Sequence, residues 1–293
     1  MSVPRYLKIL IKISLSRLPV PYQVWRRVGI FRAGGMAGPE YARWTFRILT
    51  ERCGLATPKN GLTVLELGPG DSLLTALFAR AWGATRTILI DAAPLASCDV
   101  TLFHRAVDLL QQEAPHEAAR VADVKRLDRT EDVPAALNAT YLTDGLASLR
   151  SIPTASVDFA VSRAVLEHVR LRNFAEMMKH LRRVTRAGGV GSHRVGIDDH
   201  HLGGALNNLR FSEAIWESEF FARSGFYTNR ILFPEMLRIF DEPGFKTEFY
   251  DVVRWPALPT PRHKLNARFR EFPDEALRVR EFSVVLRLAT TTS

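Results

Sequence analysis

Short apolar runs alternate with amphipathic segments along most of the chain. The runs predict strands over residues 63–67, 87–91, 140–144, 156–162, 190–196, 245–255 and 280–289. Helical spacing of the apolar positions predicts helices over residues 40–53, 72–80, 99–113, 173–185, 212–221 and 234–241. Strands that alternate with helices are typical of a mostly parallel sheet covered on both faces. The pattern therefore predicts an α/β fold.

A glycine turn follows the first predicted strand directly. Gly68 and Gly70 flank Pro69, and the next helix begins two residues later. A buried strand that turns over glycines into a helix is a nucleotide-binding arrangement, because glycine adopts unusual dihedral angles and lets a ligand approach the backbone. We therefore expect these three residues to contact a bound cofactor.

The residues around this turn favour a cationic ligand. A dinucleotide fingerprint needs a third glycine three residues after Gly70, where the chain has Leu73. Glu66 precedes the turn and Asp71 follows it, and a carboxylate at Asp71 would repel a pyrophosphate. S-adenosylmethionine carries a sulfonium and an ammonium group and no phosphate. The two acids are therefore predicted to belong to a site for S-adenosylmethionine.

Further cofactor contacts are expected where the second and third strands end. Asp91, followed by Ala92, lies about twenty residues beyond the glycine turn, which suits an acid that contacts ribose hydroxyls. A strand-end acid or the N-cap of the next helix is the alternative for Asp91. Asp144 ends the third predicted strand and is placed near the adenine.

The fourth predicted strand ends in Ser162, and Glu167 and His168 follow shortly after it. Ligands of open α/β sheets bind beyond the carboxyl ends of the strands, which places these three residues near the transferred group. The alternative is that Glu167 caps a helix and His168 packs within it.

The densest group of titratable residues follows the fifth predicted strand and comprises His193, Asp198, Asp199, His200 and His201. A histidine near its neutral pKa can accept a proton from an acceptor hydroxyl. A metal site is the alternative, but the spacing matches no metal motif, so His193 or His200 is predicted to be a catalytic base and no metal is predicted. A polar surface loop is the third possibility.

An aromatic and amide-rich insertion spans residues 197–232 and is placed to act as a lid over the acceptor. Within it, Tyr227, Asn229 and Arg230 offer stacking and hydrogen bonds to a sugar or an anionic group. Together with His201, they are the predicted acceptor-binding residues.

Composition limits the other partners. The 293 residues are 46% hydrophobic and 24% charged, which is ordinary for a soluble globule, and the net charge is +9. Basic residues are spread along the chain without a nucleic-acid module, so no nucleic-acid partner is expected. Cys53 and Cys98 lack metal-ligand spacing and indicate a reducing, cytoplasmic compartment.

Residues 5–18 form a basic amphipathic segment, in which Arg5, Lys8 and Lys12 share a narrow polar stripe. Such a helix can lie on an anionic membrane surface at the inner face, or it can cap the core of the protein. We assign residues 1–58 to this N-terminal cap and residues 59–293 to the main domain.

The motifs together resemble those of a known enzyme family. The sequence E-L-G-P-G at 66–70, Asp91, the string from 156 to 169 and the glycines at 188–189 resemble class I S-adenosylmethionine-dependent methyltransferases. Segments at 18–31, 192–200 and 225–230 are similar to the methyltransferase type 11-like group associated with bacterial polysaccharide biosynthesis. Ser72 replaces a common glycine of the family.

This resemblance implies a Rossmann-like seven-stranded sheet with helices on both faces and the last strand antiparallel. It also implies methyl transfer to a hydroxyl or amine of a small molecule, such as a sugar or a glycan or lipid-linked intermediate. Glu66 and the glycine turn would hold the methionine part of the cofactor, and Asp91 the ribose. Two alternatives stay open: a non-catalytic adenosylmethionine-binding or membrane-associated scaffold, and another Rossmann-type enzyme, although the chain lacks the Tyr-x-x-x-Lys pair of many reductases.

Overall fold

The computed structural model describes residues 38–55, 60–96, 99–199, 205–225 and 227–289. Within these residues the strands are β1 (Thr63–Leu67), β2 (Arg86–Ile90), β3 (Ala139–Leu142), β4 (Val157–Arg163), β5 (Thr185–Gly196), β6 (Lys246–Arg254) and β7 (Val279–Arg287). They form one sheet in the order β3-β2-β1-β4-β5-β7-β6.

The sheet is parallel except at one edge. β1 pairs in parallel with β2 and β4, β2 with β3, and β4 with β5. β7 runs antiparallel to both β5 and β6. The predicted α/β class, a Rossmann-like seven-stranded and mostly parallel sheet whose last strand is antiparallel, is therefore confirmed.

The main helices are α1 (Pro39–Arg52), α2 (Leu74–Trp82), α3 (Val100–Glu113), α4 (Leu146–Ser151), α5 (Leu171–Val184) and α6 (Phe233–Asp241). Capping residues set their ends where the sequence offers them. The Asp99 side chain accepts hydrogen bonds from two backbone N–H groups in the first turn of α3. Gly83, in the left-handed region, ends α2.

Two apolar cores cover the two faces of the sheet. α1, α2 and α3 pack on the face that carries Val64, Leu89 and Phe159. α5 and α6 pack on the opposite face, which carries Leu65 and Ala160. Successive strand residues point to opposite faces, so each central strand needs apolar residues at consecutive positions, as the sequence shows.

Two elements differ from the sequence prediction. The helix predicted over 212–221 is two short helices, Glu213–Trp216 and Glu219–Ala222, because Ser218 between them has an extended backbone. The fifth strand begins at Thr185 rather than at 190, and it passes through Gly188 in the left-handed region. The pairing of β4 with β5 shifts register at this point.

No helix among the described residues has the length and apolar composition needed to cross a membrane. The segment 5–18 lies outside the described residues, so its predicted contact with a membrane surface stays a prediction. The boundary at residue 58 also stays a prediction, although α1 packs against the main core through an edge contact between Phe46 and Trp82.

Candidate active site

Three loops meet at the carboxyl ends of β1, β2 and β3, and hydrogen bonds centred on Asp91 join them. The N–H of Gly70 donates to Asp91 Oδ2 at 3.0 Å, and the N–H of Ala92 donates to Asp91 Oδ1 at 2.7 Å. The backbone carbonyl of Asp91 accepts the N–H of Gly145 at 2.8 Å. Asp91 therefore holds the glycine turn beside the loop that carries Asp144.

The backbone of the glycine turn is left-handed at both glycines, where φ is +68° at Gly68 and +65° at Gly70. A β-carbon on Gly68 would lie less than 3 Å from both γ-carbons of Val165. A β-carbon on Gly70 would meet no atom within 4 Å among the described residues. The space above Gly70 is thus open to a ligand, and the buried Pro69 lies between the two positions.

Only one of the two oxygens of the buried Glu66 carboxyl group makes a hydrogen bond in the described structure. Glu66 is 7% exposed, and its Oε1 accepts a hydrogen bond from Thr75 Oγ1 at 3.0 Å. Its Oε2 has no hydrogen-bond partner in the described structure. Burial raises the pKa of Glu66 to about 8. A cationic group placed at Oε2 would satisfy this oxygen and stabilise the ionised form.

The other acids differ in their exposure. Burial raises the pKa of Asp91, and the nearby buried Asp71 adds to that rise, whereas the two backbone N–H donors lower it. Asp144 is exposed, and its backbone N–H donates to Ser148 Oγ at 3.0 Å. The loops thus gather the three acidic side chains Glu66, Asp71 and Asp91, and carboxyl groups that ionise beside a cation fit a cationic ligand better than a phosphate.

The segment after β4 carries the exposed imidazole of His168. Nδ1 of His168 lies 2.7 Å from the carbonyl oxygen of Tyr227. Because a carbonyl only accepts, Nδ1 must carry the proton, which leaves Nε2 as the acceptor nitrogen of an exposed ring. Glu167, in contrast, is buried; its Oε1 accepts the N–H of Gly196 and its carbonyl accepts the N–H of Asn229. Glu167 thus ties β5 and the insertion to this segment and is not placed to act on an acceptor.

His193 lies inside the sheet and not at its edge. Its side chain is 0% exposed, and its Nδ1 shares a hydrogen bond with Ser162 Oγ at 2.8 Å. Burial lowers the pKa of His193 to about 3, so the ring is neutral at physiological pH. No acceptor has access to this ring or to the buried Ser162 side chain, so the structure does not support His193 as the base or Ser162 as a cofactor contact through its hydroxyl.

The aspartates predicted to cluster with His193 have other contacts. Asp198 accepts from Arg280 at 3.3 Å, and the Asp199 carboxylate accepts backbone N–H groups of Ala205 and Asn207. Within the described part of the chain, no three potential metal ligands lie close enough to hold an ion. His200 and His201 lie outside the described residues, and their predicted roles as base and acceptor contact stay predictions.

Two of the predicted acceptor-binding side chains are engaged by the protein itself. The hydroxyl of Tyr227 donates to the Glu217 carboxylate at 3.0 Å and accepts the N–H of Leu171 at 2.9 Å. The amide of Asn229 donates to the carbonyls of residues 166 and 169, and its oxygen accepts the N–H of residue 231. Both side chains are buried, so the structure gives them a supporting role and no free group for an acceptor.

Arg230 is also buried, with its guanidinium 5.5 Å from the ring centroids of both Trp216 and Phe269. Its Nη1 donates to the carbonyl of Phe211 at 2.8 Å, whereas Nε and Nη2 have no hydrogen-bond partner in the described structure. Burial lowers the pKa of Arg230 to about 10. Its predicted contact with an anionic acceptor stays a prediction.

The sequence reasoning overlooked Thr45, Thr75 and Arg163. Thr75 stands nine positions after Glu66, in the first turn of the helix that follows the glycine turn, and that placement is a signal for its contact with the acid. Arg163 directly follows Ser162, but no pattern in the sequence indicates that its neighbours are two aromatic residues of α1. Thr45 approaches the site only because α1 packs on the sheet.

Comparison with solved structures finds methyltransferases of low sequence identity. CurJ carbon methyltransferase is 14% identical over 85% of this chain and 54% of its own, with a TM-score of 0.46. Phosphoethanolamine N-methyltransferase 2 of Haemonchus contortus is 12% identical over 84% of this chain and 52% of its own, with a TM-score of 0.46. The present chain thus spans about half the length of these two proteins.

An S-adenosylmethionine-dependent methyltransferase of Mesorhizobium loti is 15% identical over 85% of this chain and 100% of its own, with a TM-score of 0.46. A search of curated proteins finds no match. A family model described as a methyltransferase domain matches residues 40–212, which is more than half of the chain and contains β1 to β5 with the glycine turn. The chain belongs to this methyltransferase domain family.

Proposed function

We propose that the protein is an S-adenosylmethionine-dependent methyltransferase. The observation that carries the proposal is the acidic glycine turn. Buried Glu66 of β1 has one oxygen without a hydrogen-bond partner in the described structure, a β-carbon on Gly70 would meet open space, and Asp91 accepts the N–H of Gly70. A site of this charge suits a ligand that is cationic and lacks phosphate. Membership of the methyltransferase domain family supports the same cofactor.

The residues of the site divide the recognition of the cofactor between them. Glu66 and the backbone of Gly68 and Gly70 would hold the methionine part. Each carboxylate oxygen of Asp91 accepts one backbone N–H and keeps a lone pair for a ribose hydroxyl. Ala92 and Asp144, on the adjoining loops, would flank the adenine. When bound, S-adenosylmethionine supplies a methyl group on a positively charged sulfur.

The protein contributes mainly position and at most one base, because the sulfonium already makes a good leaving group. We assign the base to His168, an exposed residue whose Nε2 is kept in the acceptor form because Nδ1 donates to the carbonyl of Tyr227. An acceptor hydroxyl would lose its proton to Nε2 as its oxygen takes the methyl group from the sulfonium, whereas an acceptor ammonium would lose a proton before its nitrogen attacks.

The proposed acceptor is a hydroxyl or amine of a small molecule, and a sugar or a glycan or lipid-linked intermediate is the class we favour. The resemblance of segments 18–31, 192–200 and 225–230 to methyltransferases of polysaccharide biosynthesis supports this choice.

A transfer assay tests the function directly. The full chain is incubated with S-adenosylmethionine labelled with tritium in the methyl group and with panels of glycan, nucleotide-sugar, amine and carboxylate acceptors. We expect label in a hydroxyl or amine acceptor, and labelling that is roughly 10²- to 10⁴-fold slower with the H168Q variant. Binding of the cofactor without transfer to any acceptor would favour the non-catalytic scaffold instead.

We further propose that residues 5–18 hold the protein at the cytoplasmic face of an anionic membrane, since a helix with this spacing would place a basic stripe opposite an apolar surface. Sedimentation with phosphatidylglycerol vesicles is expected to pull down the wild-type protein and not the K8Q/K12Q variant. Equal sedimentation of both proteins, or binding to phosphatidylcholine vesicles alone, would contradict this.

A further inference from the structure

A short turn after β4 carries His168, and the insertion contacts this turn at several points. It is a single 3₁₀ turn, Leu166–His168, in which the N–H of His168 donates to the carbonyl of Val165 at 2.8 Å. A turn of this length has few hydrogen bonds of its own to keep its shape. The position of the imidazole ring therefore depends on contacts from outside the turn.

Asn229 of the insertion bonds to the chain on both sides of His168. Its Nδ2 donates to the carbonyl of Leu166 at 2.8 Å and to that of Val169 at 3.1 Å. Its backbone N–H donates to the carbonyl of Glu167 at 2.7 Å. One residue thus satisfies three backbone carbonyls around His168, and it fixes the turn against the insertion.

The side-chain amide of Asn229 is itself fixed in one orientation. The side chain is 1% exposed, and its Oδ1 accepts the N–H of Ile231 at 3.1 Å. Because that N–H only donates and the two carbonyls only accept, the nitrogen and oxygen of the amide cannot exchange places. Any rotation of the amide would leave buried polar groups without partners, which is costly.

The carbonyl of Tyr227, two positions before Asn229, lies 2.7 Å from Nδ1 of His168. A displacement of this carbonyl by about 1 Å would take it out of hydrogen-bonding range. The neutral ring could then carry its proton on Nε2, which would no longer accept a proton from an acceptor. The tautomer of His168 therefore depends on how firmly the segment around Tyr227 is held against the turn.

We propose that Asn229 is a positioning residue for His168 and holds its ring in the tautomer that accepts a proton at Nε2. This inference rests on the proposed function, in which His168 is the base. It gives the insertion a part in methyl transfer that needs no contact between Asn229 and the acceptor. The hydroxyl of Tyr227, which accepts the N–H of Leu171 at 2.9 Å, supports the same segment at a second point.

Nitrogen-15 NMR of the full chain, labelled at its histidines and free of ligand, reads the tautomer directly. The spectrum of H168Q identifies the signals of His168 by their absence. At alkaline pH, where histidine is neutral, wild type is expected to show a protonated Nδ1 and an unprotonated Nε2. N229A is expected to show a mixture of the two tautomers, because the carbonyl of Tyr227 is no longer held in place.

A second variant and a matched control accompany N229A. N229D keeps the size of the side chain but offers at most one donor in place of two, so it should also show part of the second tautomer. N208A removes an equally buried amide of the insertion, which donates to the side chain of Thr228 and not to the turn. N208A should keep the tautomer of wild type.

Transfer rates give a second readout, with the acceptor that takes up most label in the tritium assay as the probe. N229A is expected to have a kcat roughly 10- to 100-fold below wild type. Its KM for that acceptor and its affinity for S-adenosylhomocysteine should stay within about threefold of wild type. Because Asn229 acts through His168, the double variant H168Q/N229A should be no slower than H168Q.

The outcomes separate this inference from the proposed function. A wild-type tautomer in N229A, an equal tautomer shift in N208A, or a loss of kcat that adds to that of H168Q would overturn the inference and leave the proposed function standing. Circular dichroism checks that the variants are folded, and N229D decides alone if N229A is not. If wild type transfers no methyl group to any acceptor, the proposed function fails, and the spectrum of N229A still decides whether Asn229 positions the ring.

Discussion

Replacing each glycine of the turn by alanine separates two effects that the structure assigns to different positions. Both residues have a left-handed backbone, and a non-glycine residue there costs about 1–2 kcal/mol. At Gly68 the added methyl also overlaps Val165, and displacing a packed side chain costs about 1–3 kcal/mol more. At Gly70 nothing opposes the methyl. G68A should therefore lower the free energy of unfolding by about 2–5 kcal/mol and G70A by about 1–2 kcal/mol.

Urea unfolding followed by circular dichroism measures both values, provided that the dependence on urea concentration is the same for all variants. The double variant G68A/V165A isolates the overlap, because alanine at 165 removes the two γ-carbons. Its loss should be smaller than the sum of the single losses by about 1–3 kcal/mol. G70A/V165A is the matched control and should show additive losses.

The affinity for the cofactor should fall more in G70A than in G68A, which is the reverse of the order expected for stability. The methyl group of G70A enters the open space in which the proposed cofactor would lie, so G70A should weaken S-adenosylhomocysteine binding more than its small effect on stability suggests. Equal stability losses for G68A and G70A, or no rescue by V165A, would refute this reading of the turn.

Three further predictions concern the titratable groups. The raised pKa of Glu66, about 8 against 4.5 for an unperturbed carboxyl, means that the folded protein keeps a proton that the unfolded chain releases. Without cofactor, this group should lower the free energy of unfolding by about 1.4 kcal/mol per pH unit between about pH 5 and 8, and urea unfolding of E66Q should lack that slope. The H168Q variant should have a kcat roughly 10²- to 10⁴-fold below wild type and an unchanged affinity for S-adenosylhomocysteine. The control H263Q, which replaces an exposed histidine, should change neither value. An equal loss of kcat in the two variants would contradict the assignment of His168 as the base. The D91N variant should bind S-adenosylhomocysteine roughly 10- to 100-fold more weakly in calorimetry, because a side-chain amide cannot accept both backbone N–H groups. An equal loss of affinity in D144N would contradict a specific role for Asp91.

The sheet, the glycine turn and the position of Asp91 beside that turn could be predicted from the sequence because their signals are local. A buried parallel strand needs consecutive apolar residues, and a left-handed turn needs glycine, so β1 and the turn at Gly68 and Gly70 are visible in a short stretch of sequence. The carboxyl ends of parallel strands meet at one edge, so Asp91 could be placed beside the turn without a structure.

His193 could not be placed in the same way. It lies three residues before the end of β5, about 10 Å below the edge of the sheet at the usual rise per residue. Residues 193 to 201 are close in sequence, but the strand separates His193 from the loop that follows it. Only the register, in which His193 stands beside Ser162 of β4, shows that its ring is in the core.

The hydrogen-bond partners of the polar residues in the insertion could not be predicted for a related reason. The partners of Tyr227 are Glu217 and the backbone of Leu171, and Asn229 bonds to carbonyls about sixty residues away. A sequence shows which side chains can form hydrogen bonds, but it does not show which distant backbone groups they bond to. The contacts of Arg163 could not be predicted for the same reason, because its aromatic neighbours come from a helix more than a hundred residues earlier.

The acidic turn from Glu66 to Asp71 is proposed to receive a cationic adenosyl compound. Calorimetric titration of the purified full chain with S-adenosylmethionine, and separately with NAD and ATP, is the decisive measurement. We expect saturable binding of S-adenosylmethionine with release of protons at pH 7, a smaller proton release in E66Q, and no binding of either phosphate-bearing nucleotide. Binding of NAD or ATP in the absence of any affinity for S-adenosylmethionine would contradict it.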